Sequence, residues 1–349
     1  MKNLLLTAPL ACLLVGGPTR AQTSPAGAAA PAPYHLLRTI PIGGEGGWDF
    51  LQVDPAGTRL YVSHDARVEV VDLKTHRLIG HIGNTPGAHC IEVVPAAGRG
   101  YISCGRNNTC VVFDLKTLKT IATVPTGSKP DPLLYDAFTG RLFVFSSDGG
   151  TSTVLDAATS KVVGSLRLGG EGEVAVTDGK GHIFANIEDK SELVQLDART
   201  LAVQHRYSLA PGQGPTGLAY DPKTNRLFSG CANEKLIVTD SQTGRQVAVL
   251  PIGAGVDGAT FDPTTHNVIT ANGRAGTFTV IHQASPTSYP VVANVPTQRG
   301  ARTLTQDAKT HHLFTCTAEF GPAPAPTADN PRPWPSIVPG TLRVLEYGR

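Results

Sequence analysis

Five ionisable side chains recur at one position of a repeating pattern, the residue that leads into the first strand of a repeat. They are the carboxylates Asp49, Asp131, Glu173 and Asp257 and the guanidinium of Arg302. Neighbouring carboxylates raise one another's pKa unless a cation neutralises them. Oxygen ligands of this kind suit a divalent cation such as calcium, or an amine or polyol ligand. The pattern predicts either a ligand or metal site made by these residues, or a ring of solvated carboxylates too widely spaced to share a ligand.

Two histidines, a glutamate and a tryptophan fall in loops on the same side of the repeats. His64 and His89 come from adjacent repeats, and Glu188 follows a strand of the fourth. Because an imidazole near a carboxylate suits general acid–base catalysis or metal binding, these three are candidate catalytic residues. Hydrogen-bonding loop histidines are the alternative. Trp48 either stacks on a flat or sugar-like ligand or packs at a junction between repeats.

The cysteines indicate a disulfide rather than a cofactor site. Cys104 and Cys110 flank the segment GRNNT in one hairpin, close enough for a disulfide in an exported protein. The sequence has no C-x-x-C-H motif for covalent haem and no paired C-x-x-C for zinc. Its GGEGG segment lacks the strand–helix context of a nucleotide-binding loop. Haem and nucleotides are therefore not expected, and the one cofactor that the residues suggest is a divalent cation.

These residues are positioned by strands that repeat along the chain. A short apolar strand recurs at intervals of 42, 42, 41 and 43 residues, ending in Asp72, Asp114, Asp156, Asp197 and Asp240. Each copy holds four short strands joined by Gly, Pro, Asp and Asn turns, and no stretch has a sustained helical period. The pattern predicts an all-β fold, a seven-bladed β-propeller. The seventh copy lacks a fourth strand, so we expect the N-terminal strand, residues 35–43, to close blade 7.

Three tetrads carry a resemblance to a known family: YVSH (61–64), YISC (101–104) and ITAN (269–272), each with a V-x-D strand downstream. Over residues 34–349 the chain resembles the YVTN-repeat family of seven-bladed propellers of exported bacterial proteins. The resemblance implies an exported propeller, with relatives that include lactone hydrolases and the propeller subunits of quinoprotein and copper enzymes. It is specific for the fold and says little about the chemistry.

The ends of the chain differ in composition from the repeats. Residues 1–21 have a positive start, an apolar run too short to span a bilayer and a small-residue cleavage site, which predicts a signal peptide. A lipoprotein anchor at Cys12 is the alternative. Residues 22–33 are an Ala/Pro-rich tether, and residues 34–349 form the propeller. Residues 320–340, with seven prolines, are an insertion in blade 7 that forms either a lid over the channel mouth or an exposed loop that docks another protein.

The charge balance narrows the partners. The chain has a formal net charge of +2, and removal of Lys2 and Arg20 with the signal peptide leaves 28 basic and 28 acidic residues. Nucleic acid is an unlikely partner for such a chain, because phosphate contacts dominate that affinity. No later stretch is apolar enough to predict a transmembrane segment. The localisation predicted is periplasmic or secreted.

Three functions fit these observations. The first is a binding or scaffold protein that holds a small molecule or cation at the channel mouth, with a protein partner on the rim or the Pro-rich loop. The second is a lactonase-like or other hydrolase that uses acids and histidines of the same face. The third is a cell-surface platform for protein interactions.

Overall fold

The computed structural model describes Met1, residues 34–327 and residues 333–349. Apart from Met1, the predicted signal peptide and tether lie outside the described residues, as do residues 328–332 of the Pro-rich insertion. Within the described parts of the chain, no helix is long and apolar enough to cross a membrane.

Seven four-stranded antiparallel sheets account for the regular structure, so the prediction of an all-β, seven-bladed propeller is confirmed. Strand β1 (His35–Pro41) precedes the first blade. Blade 1 contains β2 (Leu51–Val53), β3 (Arg59–His64), β4 (Arg67–Asp72) and β5 (Arg77–Gly83). Blade 2 contains β6 (Ala88–Val94), β7 (Arg99–Cys104), β8 (Thr109–Asp114) and β9 (Thr120–Pro125), with a 3-10 turn at Pro95–Ala97. Blade 3 contains β10 (Pro130–Asp136), β11 (Arg141–Ser146), β12 (Thr151–Asp156) and β13 (Val162–Arg167).

The remaining blades follow the same order. Blade 4 contains β14 (Gly172–Thr177), β15 (His182–Ile187), β16 (Glu192–Asp197) and β17 (Ala202–Ser208). Blade 5 contains β18 (Pro215–Asp221), β19 (Arg226–Cys231), β20 (Lys235–Asp240) and β21 (Gln246–Pro251). Blade 6 contains β22 (Val256–Asp262), β23 (Asn267–Asn272), β24 (Thr277–His282) and β25 (Val291–Pro296). Blade 7 contains β26 (Thr305–Gln306), β27 (Leu313–Thr317) and β28 (Arg343–Gly348).

The N-terminal strand completes the ring, as the sequence predicts. Strand β1 pairs antiparallel with β28, with Ile40 opposite Val344, and forms the outer edge of blade 7. Ile40 is buried in a core cluster that combines residues of blade 7 with residues of blade 1. Closure therefore covers an open sheet edge and also contributes to the core.

The middle strands of each blade are buried on both faces because neighbouring blades pack against each other. Strands β3 and β4, for example, are buried almost throughout, whereas the outer strand β5 is mostly exposed. The core clusters accordingly combine residues of adjacent blades, as Val68 and Val70 of blade 1 do with Ile102 and Val111 of blade 2. This explains the near-continuous apolar runs in the sequence, since a strand buried on two faces shows no polar alternation.

The acids that end the third strands belong to turns. Asp72 accepts hydrogen bonds from the backbone N–H and the hydroxyl of Thr75, and Asp114 and Asp156 have equivalent threonine partners. These bonds hold the pKa of each of the three carboxyls below its usual value. The recurring acids therefore stabilise turns, by the Asx-turn geometry common to Asp side chains.

The expected disulfide between Cys104 and Cys110 is absent, since both are free thiols. In the β7–β8 pairing Cys104 lies opposite Thr109 and Cys110 lies opposite Ser103. The two positions differ by one residue in register, so the side chains point to opposite faces of the sheet. Cys104 packs in the core between blades 1 and 2, whereas Cys110 packs in the core between blades 2 and 3.

Candidate functional site

The starts of the first strands surround a cavity of about 630 Å³ at one mouth of the channel. Three of the predicted site residues from blades 1, 3 and 7 line it, as does His89 of blade 2: Trp48, Asp49, Asp131 and Arg302. The loops between second and third strands supply further walls, namely Asp65, Arg106, Asn108 and Ser147. The convergence follows from strand direction, because these loops and the first-strand starts share one face of an antiparallel blade.

Two carboxylates and one imidazole meet in this cavity. Nδ1 of His89 lies 2.7 Å from Oδ2 of Asp49 and 3.8 Å from Oδ1 of Asp131. One potential ligand atom from each residue lies within 4.8 Å of those from the other two. Oδ1 of Asp131 is buried and has no hydrogen-bond partner among the described residues. The three groups together could hold a metal ion or a compact cation between them.

The backbone at these carboxylates is fixed by hydroxyl groups. The N–H of Asp49 donates to Oγ of Ser63 at 2.8 Å, and Oγ1 of Thr303 in the preceding blade donates to the Asp49 carbonyl at 2.7 Å. Oγ of Ser103 likewise donates to the carbonyl of Asp131. Each first-strand start is thus tied both to its own blade and to a neighbour, which limits how far the carboxylates can move apart.

Arg302 joins the two ends of the ring through the same cluster. Its Nη2 lies 3.1 Å from Oδ1 of Asp49 and 2.9 Å from the carbonyl oxygen of Trp48, and its Nε lies 2.8 Å from Oδ2 of Asp257. One guanidinium therefore balances carboxylates from blades 1 and 6. Asp131 receives no such partner.

The pKa values follow from this arrangement. Burial raises the pKa of Asp131 to about 7, and the charge of Asp49 adds to the rise. Burial and the charge of Asp49 also raise the pKa of Asp257, to about 6, against the opposing effect of Arg302. Burial lowers the pKa of His89, but its hydrogen bond to Asp49 and the charge of Asp131 outweigh this, so the pKa lies above its usual value. The cluster thus holds more negative charge than its own cations neutralise.

Glu173 and Glu188 form a second acidic group, within blade 4. They share a side-chain hydrogen bond. Burial, with the charges of Asp131 and Asp257, raises the pKa of Glu173 well above its usual value. Burial, with the charges of Glu171 and Asp189, raises the pKa of Glu188. Glu173 and Asp257 therefore act on the triad electrostatically but are not among the groups that meet at His89.

His64 lies apart from His89. Its ring is fully buried, its Nδ1 lies 3.1 Å from Oε1 of Glu69, and Arg67 pairs with the same carboxylate. It does not line the mouth cavity. The two histidines, which the sequence suggests as partners, thus have different carboxylates and different surroundings.

A family model matches residues 107–320, more than half of the chain; it is PQQ_2, described as "Outer membrane protein assembly factor BamB". The chain belongs to this family. No curated protein sequence matches the chain significantly.

Solved structures resemble this BamB-like propeller in fold. The crystal structure of RRP9 WD40 repeats has a TM-score of 0.75 at 11% identity, covering 91% of this chain and 98% of that one. The structure of U3-55K has a TM-score of 0.73 at 11% identity, covering 90% and 98%. Hydrazine synthase of Kuenenia stuttgartiensis has a TM-score of 0.70 at 15% identity, covering 77% and 92%. At these identities the likeness concerns the fold alone.

The family match refines the resemblance drawn from the tetrads. The propeller architecture and its repeats are confirmed, and the family that matches is the BamB-like one. Membership of the YVTN subfamily and of the lactonase-like group stays a prediction. A propeller of the BamB-like family fits a binding or scaffold role.

The described parts of the Pro-rich insertion fold back beside the mouth. Phe320 and Ile337 form an antiparallel bridge, in which the N–H of Gly321 donates to the Ser336 carbonyl at 2.9 Å. The ring of Trp334 packs on Phe320, with 5.7 Å between centroids. None of the described residues of the insertion lines the 630 Å³ cavity, so this part does not form the lid that the sequence suggests.

Sequence reasoning missed the hydroxyl groups that hold the site. Ser63 and Ser103 occupy the third position of two of the tetrads, and each binds backbone at a first-strand start. Their recurrence was a usable signal. The partners of Arg302 had no such signal, because Asp49 is separated from it by almost the whole chain.

Proposed function

We propose that this BamB-like propeller is an exported, periplasmic binding or scaffold protein that holds a divalent cation at its channel mouth through Asp49, His89 and Asp131. The observation that carries the proposal is the meeting of these three side chains, with an unpartnered Asp131 oxygen facing His89. A cation there would offset the charge that raises the pKa of Asp131.

The ligand types favour a particular class of metal. One imidazole nitrogen with carboxylate oxygens suits zinc or manganese, whereas calcium takes six to eight oxygen ligands. Glu173 and Asp257, which sequence alone groups with Asp49 and Asp131, would act as nearby negative charges rather than as ligands. A periplasmic location is supported by the name of the family, which refers to outer membrane assembly.

The test is a titration of the metal-free protein with zinc, manganese and calcium, followed by calorimetry and thermal unfolding. Zinc or manganese at a hundred times its Kd should stabilise the protein by about 2.7 kcal/mol. Asp131→Asn should abolish most of this shift, whereas Asp148→Asn, an exposed carboxylate of the same blade, should retain it. Equal shifts for the two variants would rule out the proposed site.

Hydrolysis is the second candidate function. It is favoured by the hydrogen bond between His89 and Asp49 beside a carboxyl group whose pKa is about 7, a combination suited to moving protons near neutral pH. The purified protein would be assayed for hydrolysis of a simple lactone and a p-nitrophenyl ester. Turnover that is lost in His89→Gln would support this function, and its absence in the wild type would remove it.

A further inference from the structure

A second cavity, of about 270 Å³, lies beside the mouth cavity and is walled by aromatic rings. The Pro-rich insertion supplies one side and the blade 7 and blade 1 loops supply the other. Its lining residues are Gly47, Trp48, Gly300, Arg302, Phe320, Trp334, Pro335 and Ile337. Trp48 and Arg302 line both cavities and so separate them.

Trp48 has a polar group with nothing to bind. Only 6% of the residue is exposed, and its Nε1 has no hydrogen-bond partner among the described residues. A buried donor left unpaired costs free energy, and such donors are rare in native proteins. Gly300 approaches the six-membered ring of this indole closely enough that a Cβ there would lie 3.1 Å from Cζ2. The unpaired group therefore belongs to a side chain that forms the cavity wall.

The charged groups around this cavity are cationic. None of its lining residues is acidic, and its one charged side chain is Arg302. The described contacts of that guanidinium use Nε and Nη2, which leaves the Nη1 hydrogens without a partner. Behind the wall, the guanidinium carbons of Arg274 and Arg299 lie 4.8 Å and 5.1 Å from the centre of the Trp334 ring. A ligand in this cavity would meet flat rings and hydrogen-bond donors.

We propose that the second cavity binds a small aromatic carboxylate. Its ring would pack among Trp48, Phe320 and Trp334, and its carboxylate would accept hydrogen bonds from Nε1 of Trp48 and Nη1 of Arg302. The volume is just below the range of about 300–1,000 Å³ usual for ligand pockets, so the ligand has one or two rings. This site is distinct from the cation site and does not depend on it.

The two tryptophans of the chain make a direct test possible, because both line this cavity. Phenylacetate is titrated into the full-length protein while tryptophan fluorescence and the two indole N–H signals in a proton–nitrogen NMR spectrum are recorded. A saturable change in fluorescence, with the indole signal of Trp48 moving downfield, is expected. Cyclohexylacetate lacks the ring and benzylamine lacks the negative charge, so each should bind at least about fivefold more weakly.

Variants separate this site from its neighbours. Phe320→Leu keeps both reporters and should weaken phenylacetate binding about three- to tenfold. Phe138→Leu is the matched control, because Phe138 is an exposed aromatic ring under Arg199 in a distant turn, and it should bind phenylacetate as the wild type does. Asp131→Asn, which tests the cation site, should also leave phenylacetate binding unchanged. No saturable response in the wild type, equal binding of all three probes, or equal loss in both phenylalanine variants would overturn the proposal.

Discussion

His89 and Asp49 come from neighbouring blades, and their side chains meet with 2.7 Å between Nδ1 and Oδ2. The contact crosses the boundary between blades 1 and 2 at the channel mouth. It also turns Nδ1 toward Asp131 of blade 3, so one imidazole connects three consecutive blades. A cation site at this position would depend on the packing of the blades as much as on the residues themselves.

Replacing His89 is expected to change which metal binds. His89→Gln removes the nitrogen ligand and leaves the carboxylates of Asp49 and Asp131, so zinc affinity should fall at least about tenfold while calcium affinity changes less. Isothermal titration calorimetry measures both. His205→Gln, on the exposed outer strand of blade 4, is the control and should keep the zinc affinity of the wild type. An unchanged zinc affinity in His89→Gln would exclude His89 as a ligand.

Arg302→Met should destabilise the protein. The change leaves Asp49 and Asp257 without the guanidinium that balances them, at a loss of about 1–3 kcal/mol in the free energy of unfolding, less than for a fully buried pair because Arg302 is partly exposed. Urea denaturation measures the loss. Lys190→Met breaks an exposed pair with Asp189 and should cost less than about 1 kcal/mol. A loss no greater than that of Lys190→Met would contradict the structural role of Arg302.

Glu92 should make stability depend on pH. It lines the central channel among apolar residues such as Leu133 and Leu304, and burial raises its pKa to about 8. Because this pKa lies above that of an unfolded glutamate, the folded state binds the proton more tightly, and stability falls as the pH rises from about 4 to about 8. Glu92→Gln removes this loss.

The melting temperature of Glu92→Gln should therefore exceed that of the wild type by several degrees, about 2–4 °C for each kcal/mol, at pH 8, with the difference shrinking toward pH 4. Thermal unfolding followed by circular dichroism across this range measures it. Glu234→Gln, at an exposed position, should show no comparable trend. A constant difference at all pH values would show that Glu92 does not titrate in the channel.

Ring closure by strand β1 predicts a contrast between two apolar residues of that strand. Ile40 is 2% exposed and packs in the core between blades 7 and 1, so Ile40→Ala should cost about 2–4 kcal/mol in unfolding free energy. Leu36, in the same strand, is 48% exposed, and Leu36→Ala should cost less than about 1 kcal/mol. Chemical denaturation of both variants compares them. Equal losses would mean that β1 does not bury Ile40 in solution.

The repeats alone were enough to predict the fold. Apolar strands at regular intervals, each followed by a turn of Asp and Thr, define four strands a blade, and the missing strand at the C-terminus matches the extra one at the N-terminus. Such local patterns determine the fold because each blade can bury its faces only against similar neighbours. The positions of Asp49 and Asp131 at the channel mouth follow from the same periodicity.

Which side chains meet at the mouth was decided by the tertiary structure. Periodicity treats His64 and His89 alike, yet His64 is buried against Glu69 while His89 faces Asp49 and Asp131. The same holds for Cys104 and Cys110, close in sequence but on opposite faces of the sheet.

Sequence by itself determined the seven blades, the strand that closes them and the face on which the acids gather. Only the tertiary structure decided that Arg302 balances Asp49 and Asp257 and leaves Asp131 unpaired, and that Trp48 and Trp334 enclose a cavity. The physical reason is that a repeat specifies how each blade is built from local contacts. The direction of a side chain at the mouth depends on contacts between residues that closure brings together from opposite ends of the chain.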